Sequence, residues 1–433
     1  MTDNVKIVAW SRRRGGARIG KFLRRPAVDA AAENTARDVL ADIRKRGDIA
    51  VREYTKRFDR MMARDLRVSD AELAAASRAV DVSFRRAAAE AHKRIRAFAR
   101  AGLRRNWTMN DGRGARLGER FVPYDRIGVY VPGGAAPLAS TVLMTVTLAK
   151  TAGVREIVAC TPAGFDGTVN PHVLHALKLA GATEVYRVGG IQAIGLMAYG
   201  TRTIAKVQKI VGPGGAFVTA AKKLVYGDVA LDSVAGPSEI AVLADGAANP
   251  GFAAADLLSQ AEHGTGHEKA LLVTDSLPFA EAVRKALLEQ AQRLGRAPAI
   301  AEVMKRGGIL FAVVGDLEEG VALCNEFAPE HLELMVRNPG RLLPRITRAG
   351  AVFLGPWTPE CVGDYTAGPS HVLPTGGTAA LFSGLTVNDF VRRISVVRYS
   401  RAALMRALPI IEVFGRVEGL DAHAASGKAR FGK

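Results

Sequence analysis

Four short β-rich runs, Ile127–Val131, Glu156–Cys160, Glu184–Val188 and Val207–Val211, follow one another at intervals of about 20–30 residues. Each leads through a glycine-bearing turn into a helical stretch. That alternation constrains the fold more than any other feature. Strands joined by helical crossovers pair in parallel, and the crossovers are right-handed. Ligands on such sheets bind at the C-terminal ends of the strands, where helix N-termini present free N–H groups. Three turns are glycine-rich enough to let a phosphate approach the backbone: Val131-Pro-Gly-Gly-Ala-Ala-Pro137, Val188-Gly-Gly-Ile-Gln192 and Val211-Gly-Pro-Gly-Gly-Ala216. None is a G-x-G-x-x-G followed by an acidic residue about 20 positions on. Tight strand-to-helix packing would explain one or two such turns better than three.

A second series starts near Val229, with strands expected at Glu239–Leu243, Ala270–Thr274, Gly308–Val314, Leu332–Val336 and Ala351–Leu354. The predicted fold is α/β. It has two doubly wound, incomplete Rossmann-like parallel-sheet domains, a helical N-terminal arm and a C-terminal tail. The arm is 1–27 and the nucleotide-binding-like domain 127–237. Residues 28–126 with 238–382 form the other domain, and 383–433 the tail. Between Asp29 and about Arg105 the apolar spacing is helical, and Ser69-Asp-Ala-Glu72 is a capping box. His92 falls off the apolar stripe of the last of these helices and is expected on the surface. Two helical pieces and a polar end are expected after Thr386. The domains should meet around Leu231–Ser238, and a crevice between lobes is the usual place for a ligand.

Composition narrows the function classes. A chain of 433 residues with 48% hydrophobic content can bury more than one core. No apolar run approaches the ~20 residues of a membrane helix, and Val5–Trp10 before Arg12-Arg13-Arg14 does not read as a secretory signal. The three cysteines, Cys160, Cys324 and Cys361, are widely spaced, which favours a reducing cytoplasm over a disulfide framework. Cys160, in an apolar run with no His or Arg beside it, reads as a core thiol. The net charge of +18 comes without any nucleic-acid-binding module, so an arginine-rich surface is expected rather than a nucleic-acid partner.

Chemistry concentrates in a few stretches. In Asp256-Leu-Leu-Ser-Gln-Ala-Glu-His263, followed by Gly264, Gln260 and His263 are three apart and share a face if helical. An amide oxygen beside an imidazole is half of a first-row metal site. The same pair taken alone suits a helix C-terminus, with His263 near the last carbonyls. Phe327-Ala-Pro-Glu-His-Leu-Glu-Leu334 places Glu330 and His331 after a proline at the mouth of a strand. A carboxylate next to an imidazole can serve as a general acid/base pair. Gly363-Asp-Tyr-Thr-Ala-Gly-Pro-Ser-His-Val-Leu-Pro-Thr375 supplies Asp364 and His371 in a loop with little apolar content, and such loops are usually functional. Glu418 and His423 lie near the end of the chain.

These stretches, with Gly128-Val-Tyr-Val-Pro-Gly-Gly134, Val211-Gly-Pro-Gly214, Ala235-Gly-Pro-Ser-Glu239, His371-Val-Leu-Pro-Thr375 and Glu418-Gly-Leu-Asp-Ala-His423, resemble the histidinol dehydrogenase family. They stand in the family's order and run from the N-terminal helices to the tail. The resemblance implies oxidation of L-histidinol to L-histidine through L-histidinal, with two NAD and a Zn²⁺ that anchors the substrate. It implies Gln260, His263, Asp364 and His423 as zinc ligands and Glu330 and His331 as the catalytic pair. Ser238, His371 and Glu418, together with Gln260, His263, His331, Asp364 and His423, match substrate contacts. Tyr130, Gln192 and Gly215 match nucleotide contacts. Family members commonly carry Asn-Ile-Tyr where this chain has Gly215-Ala216-Phe217, so position 215 offers only backbone. The resemblance further implies a homodimer with shared sites, in which Glu418 and His423 complete the partner's site. The alternative is a related zinc- and NAD-dependent polyol or sulfopropanediol dehydrogenase. A zinc hydrolase would share the ligand set without needing three glycine-rich turns.

Overall fold

The computed structural model describes residues 4–13, 15–24, 30–61, 65–133, 137–233 and 236–432. Asp29, Gly134 to Ala136 of the first glycine-rich turn, and Val234 and Ala235 of the inter-lobe stretch lie outside the described residues. The four runs between 127 and 211 form strands Arg126–Tyr130, Glu156–Cys160, Glu184–Tyr186 and Lys209–Val211. With Ala230–Leu231 they make a five-stranded, wholly parallel sheet. Spatially the third, second, first, fourth and fifth strands follow one another, so the order reverses between Arg126–Tyr130 and Lys209–Val211. Ile127, Val129, Ile157 and Val158 are fully buried, as strands covered by helices on both faces require.

The second series also forms a parallel sheet: Glu239–Ala244, Lys269–Thr274, Ile309–Val313, His331–Met335 and Ala351–Leu354. A sixth strand comes from the N-terminal arm, where Lys6–Ala9 pairs in parallel with Ile309–Val313. The arm is therefore an edge strand followed by helix Ala17–Leu23, whose Ile19 and Phe22 are buried with Phe327 and Leu310.

The N-terminal helices, expected with this second sheet, pack on the first. Val39, Leu40 and Ile43 of helix Ala30–Arg46 share a core with Ile194, Met197 and Val218 on one face of the five-stranded sheet. Ile95 and Ala99 of helix Val82–Gly102 join Val142, Leu148 and Leu177 on the other. The capping box at Ser69 and Glu72 is formed, with both reciprocal bonds present. His92 is half-buried, its Nδ1 2.9 Å from Thr147 Oγ1, because the helix lies directly on Ala139–Ala152.

The tail differs from expectation by one strand. Val391–Tyr399 pairs antiparallel along its length with Ala115–Pro123, which also pairs with Trp107–Asn110. Nearly all of Val391–Tyr399 is exposed, so no inward periodicity marked it as β. Helices Arg401–Glu418 and Asp421–Lys428 follow and pack on each other.

Candidate active site

Helix Pro250–Ala261 lies against the face of strand His331–Met335 that carries His331, Glu333 and Met335. Alternate strand residues share one face, and helical residues four apart share one stripe. Gln260 therefore meets His331 one turn away from where Asp256 meets Glu333. The Nδ1 of His331 is 3.2 Å from Gln260 Oε1. That amide oxygen can only accept, so Nδ1 carries the proton and Nε2 the lone pair. His331 Nε2 is buried with no partner among the described residues, as is Gln260 Nε2. Asp364 Oδ1 stands 3.8 Å from His331 Nε2 and 3.8 Å from His371 Nδ1. Desolvation lowers the pKa of His331 to about 4, so the ring is neutral at working pH.

Glu330 is buried beside His331, its Oε2 accepting the Glu239 N–H at 3.1 Å. Burial pushes its pKa well above the ordinary range, and neighbouring Glu360, Glu239 and Asp364 push it further. The expected helical continuity of Gln260 and His263 is broken: the helix ends at Ala261, and His263 is exposed in the turn beyond. Gly264, at φ +87°, sets that turn. His263 still lies close enough for its charge to oppose protonation of both His331 and His371.

His371 connects the two lobes. Its Nε2 is 3.2 Å from Thr141 Oγ1, at the start of helix Ala139–Ala152, and its Nδ1 is 3.1 Å from the Asp364 carbonyl. The C-terminal edge of the first sheet thereby meets the N-terminal edge of the second. The second sheet consequently presents its chemistry at the end opposite to the one where doubly wound sheets usually bind ligands. Ser238 directly precedes strand Glu239–Ala244 at this edge and is half-buried.

Sequence reasoning missed the acids behind the site. Glu360 opens helix Glu360–Tyr365, is buried, and places Oε1 3.6 Å from His331 Nδ1. Its Oε2 accepts from Ser259 Oγ at 3.1 Å. Glu333 Oε1 accepts the Glu360 N–H at 2.8 Å, tying strand to helix. Desolvation raises the pKa of Glu333, Glu360 and Asp256, and the neighbouring Asp256 carboxyl raises Glu333 further. A glutamate two residues after His331, on the buried face of a central strand, was the available signal. The ligand atoms of His331, Glu360 and Asp364 all lie within 4.8 Å of one another. Of the four expected ligands this trio shares only Asp364. Glu418 ends its helix and His423 lies in the next, both exposed on the tail.

On the first lobe, Tyr130 is buried and its hydroxyl accepts the Gly190 N–H at 3.2 Å. Gln192 is fully buried and donates from Nε2 to Asp59 Oδ2 at 3.1 Å. Gly215 caps helix Ala216–Leu224, and a Cβ there would meet nothing within 4 Å, so a side chain would fit. Gly212 is different: at φ +114°, a Cβ would collide with the Tyr130 carbonyl. Cys160 is fully buried, which raises its thiol pKa as expected of a core residue.

Known proteins agree on this architecture. A family model described as histidinol dehydrogenase matches residues 23–431. The chain is 46% identical over 400 residues to histidinol dehydrogenase of Synechococcus sp., covering 92% of each chain. It is 45% identical over 417 residues to that of Geobacillus kaustophilus, covering 96% of this chain and 98% of the relative. A crystal structure titled histidinol dehydrogenase from Elizabethkingia anophelis superposes with a TM-score of 0.94 at 35% identity, covering 99% of this chain and 98% of that one. With buried His331 and Glu330 set between two parallel sheets, and relatives matched over nearly their whole length, the chain belongs to the histidinol dehydrogenase family.

Proposed function

We propose that the protein oxidises L-histidinol to L-histidine through L-histidinal, passing two hydrides in turn to two NAD. The observation that carries this reading is His331. It is a neutral, buried imidazole with Nδ1–H held by Gln260 and an Nε2 lone pair that has no partner among the described residues. Nε2 takes the alcohol proton as hydride leaves the carbon. Glu330, fixed by the Glu239 N–H, then takes a proton from water as it adds to the aldehyde, and the hydrate loses the second hydride. Helix Glu360–Tyr365 sets Glu360 and Asp364 beside His331, and His371 stands beside Asp364.

Gln260, His263 and Asp364, with His423 from a second copy, offer the oxygen and nitrogen donors that suit Zn²⁺. The buried carboxyls around His331, without a cation among the described residues of the cluster, are consistent with a resident metal. When bound, zinc supplies positive charge that offsets these acids and holds the substrate's nitrogens. Ser238, His371 and Glu418 bind the remaining polar groups of the substrate. Tyr130, Gln192 and the backbone at Gly215 receive the nucleotide at the C-terminal edge of the first sheet.

The working form is a cytoplasmic homodimer with shared sites. The tail supports this reading: Ile410, Phe414 and Val417 are 63%, 60% and 75% exposed along one helix. Val397 and Tyr399 are exposed on the adjoining strand. Apolar surface of that extent belongs against another chain. Purified protein should reduce NAD with histidinol and with histidinal, but not with sulfopropanediol. Reduction with the sulfonated diol alone would favour the polyol alternative, and reduction with none would end the proposal.

A further inference from the structure

A carboxylate reaches the proposed nucleotide site from outside both sheets. Asp59 ends a short π-helical turn, Thr55–Asp59, which continues helix Asp48–Tyr54. Its Oδ2 accepts the Gly189 N–H at 3.0 Å and Gln192 Nε2–H at 3.1 Å. Gly189 caps helix Gly190–Tyr199, which follows strand Glu184–Tyr186, and Gln192 lies in the first turn of that helix. Asp59 Oδ1 makes no hydrogen bond to any described residue. A Cβ built on Gly189 would come within 2.9 Å of that Oδ1 and within 2.8 Å of Pro162. Asp59 therefore stands over the ends of the second and third strands of the sheet. The fully buried Gln192 beside it leaves its Oε1 without a partner among the described residues.

The sheet order says which part of a dinucleotide belongs there. The crevice opens where the order reverses, between Arg126–Tyr130 and Lys209–Val211. The turn bearing Gly215 lies on one side of it and Asp59 on the other, so a dinucleotide laid across puts one nucleoside over each. Dinucleotide folds place a carboxylate on the ribose 2′-hydroxyl, about 20 residues after the glycine turn. Here the acids at that spacing are engaged elsewhere: Glu156 pairs with Arg126 at the start of its strand, and Asp232 accepts from Lys222 and the Gly212 N–H. Asp166, the acid in the loop after the second strand, bonds its Oδ1 to Thr168 N at 3.0 Å and Thr168 Oγ1 at 2.7 Å.

We propose that Asp59, supplied by the N-terminal helices, accepts the hydroxyls of the adenosine ribose and selects NAD over its 2′-phosphorylated form. This rests on the nucleotide reading given above. Oδ1, without a partner among the described residues, accepts from the diol while Oδ2 keeps the Gly189 N–H. A 2′-phosphate would bring two negative charges against the same carboxylate. Burial holds the pKa of Asp59 above its ordinary value, the mark of a carboxylate short of donors.

The test compares NAD and NADP as oxidants of histidinol, using zinc-loaded wild type and Asp59→Asn. The amide keeps the shape and an oxygen for the Gly189 N–H but removes the charge. The KM for NAD should rise about tenfold, the scale of one charged hydrogen bond. The ratio of kcat/KM for NADP to that for NAD should rise by about tenfold or more, while the KM for histidinol serves as the internal control. Should both nucleotides weaken equally, Asp59 only anchors the turn and the proposal is overturned. Wild type alone gives a second readout that needs no folded variant. Its Kd for the NAD analogue lacking the adenosine 2′-hydroxyl, read by titration calorimetry without histidinol, should be about tenfold higher than for NAD, and an equal Kd overturns the proposal. Wild type that reduces neither nucleotide would instead remove the cofactor reading itself.

Discussion

Replacing Glu360 by glutamine should make the metal-free protein more stable, and only above mildly acidic pH. Glu360 is buried, its carboxyl is raised in pKa first by desolvation and then by Asp364, and its nearest oxygen lies within 4.8 Å of an Asp364 oxygen. Two unit charges at that separation repel by about 3 kcal/mol at an effective dielectric of ~20. Partial exposure of Asp364 and proton uptake by Glu360 both relieve this, so a gain of about 1–3 kcal/mol is expected from Glu360→Gln. The sign follows from proton binding. The unfolded carboxyl loses its proton near pH ~4.3, whereas the folded one keeps it to higher pH. Through that window the native state binds more protons, so wild-type stability falls as pH rises. The glutamine variant lacks this slope. Urea denaturation of chelated protein at matched concentration should show little difference at pH 5 and the full gain at pH 8. Adding Zn²⁺ should shrink the gain, because a cation offsets the same charge. Equal stability at both pH values, or a loss at pH 8, would refute the account of Glu360 as an uncompensated buried acid.

His331→Asn should slow turnover by roughly 10²–10⁴ with bound zinc retained, measured by steady-state kinetics and metal analysis. Glu330→Gln should depress histidinal oxidation more than the first half-reaction, because only the second step needs water; equal small losses would sink that assignment. His263→Ala and His423→Ala, each inactive alone, should complement on mixing. Random reassortment makes half the dimers hybrids with one intact site, so about a quarter of wild-type activity should return by two-fold symmetry. No recovery after long exchange would place His423 in its own chain's site. Chelation should abolish activity while leaving most of the circular dichroism, because helix Pro250–Ala261, which carries Gln260, is already packed in a core.

The sequence by itself determined the two series of strands and their parallel pairing. Parallel strands buried on both faces write continuous apolar runs, and the crossover helices between them leave only one handedness. Glu330 and His331 were legible for a local reason: Pro329 and the strand that follows hold the pair wherever the chain goes. Tertiary structure decided the rest. The helices of residues 30–102 carry apolar stripes that fit either lobe, and only packing assigns them to the first sheet. Strand Val391–Tyr399 exists because Ala115–Pro123 offers it an edge, a long-range pairing that no local pattern announces. Glu360, Asp256 and Glu333 look like ordinary surface acids in sequence. They matter because the fold buries them beside one another, with Glu360 against the His331 imidazole, where a charge without a partner is costly. Asp59 is the same case at the nucleotide edge: about 130 residues separate it from Gly189 and Gln192, and the helix that carries it had first to be packed on that sheet.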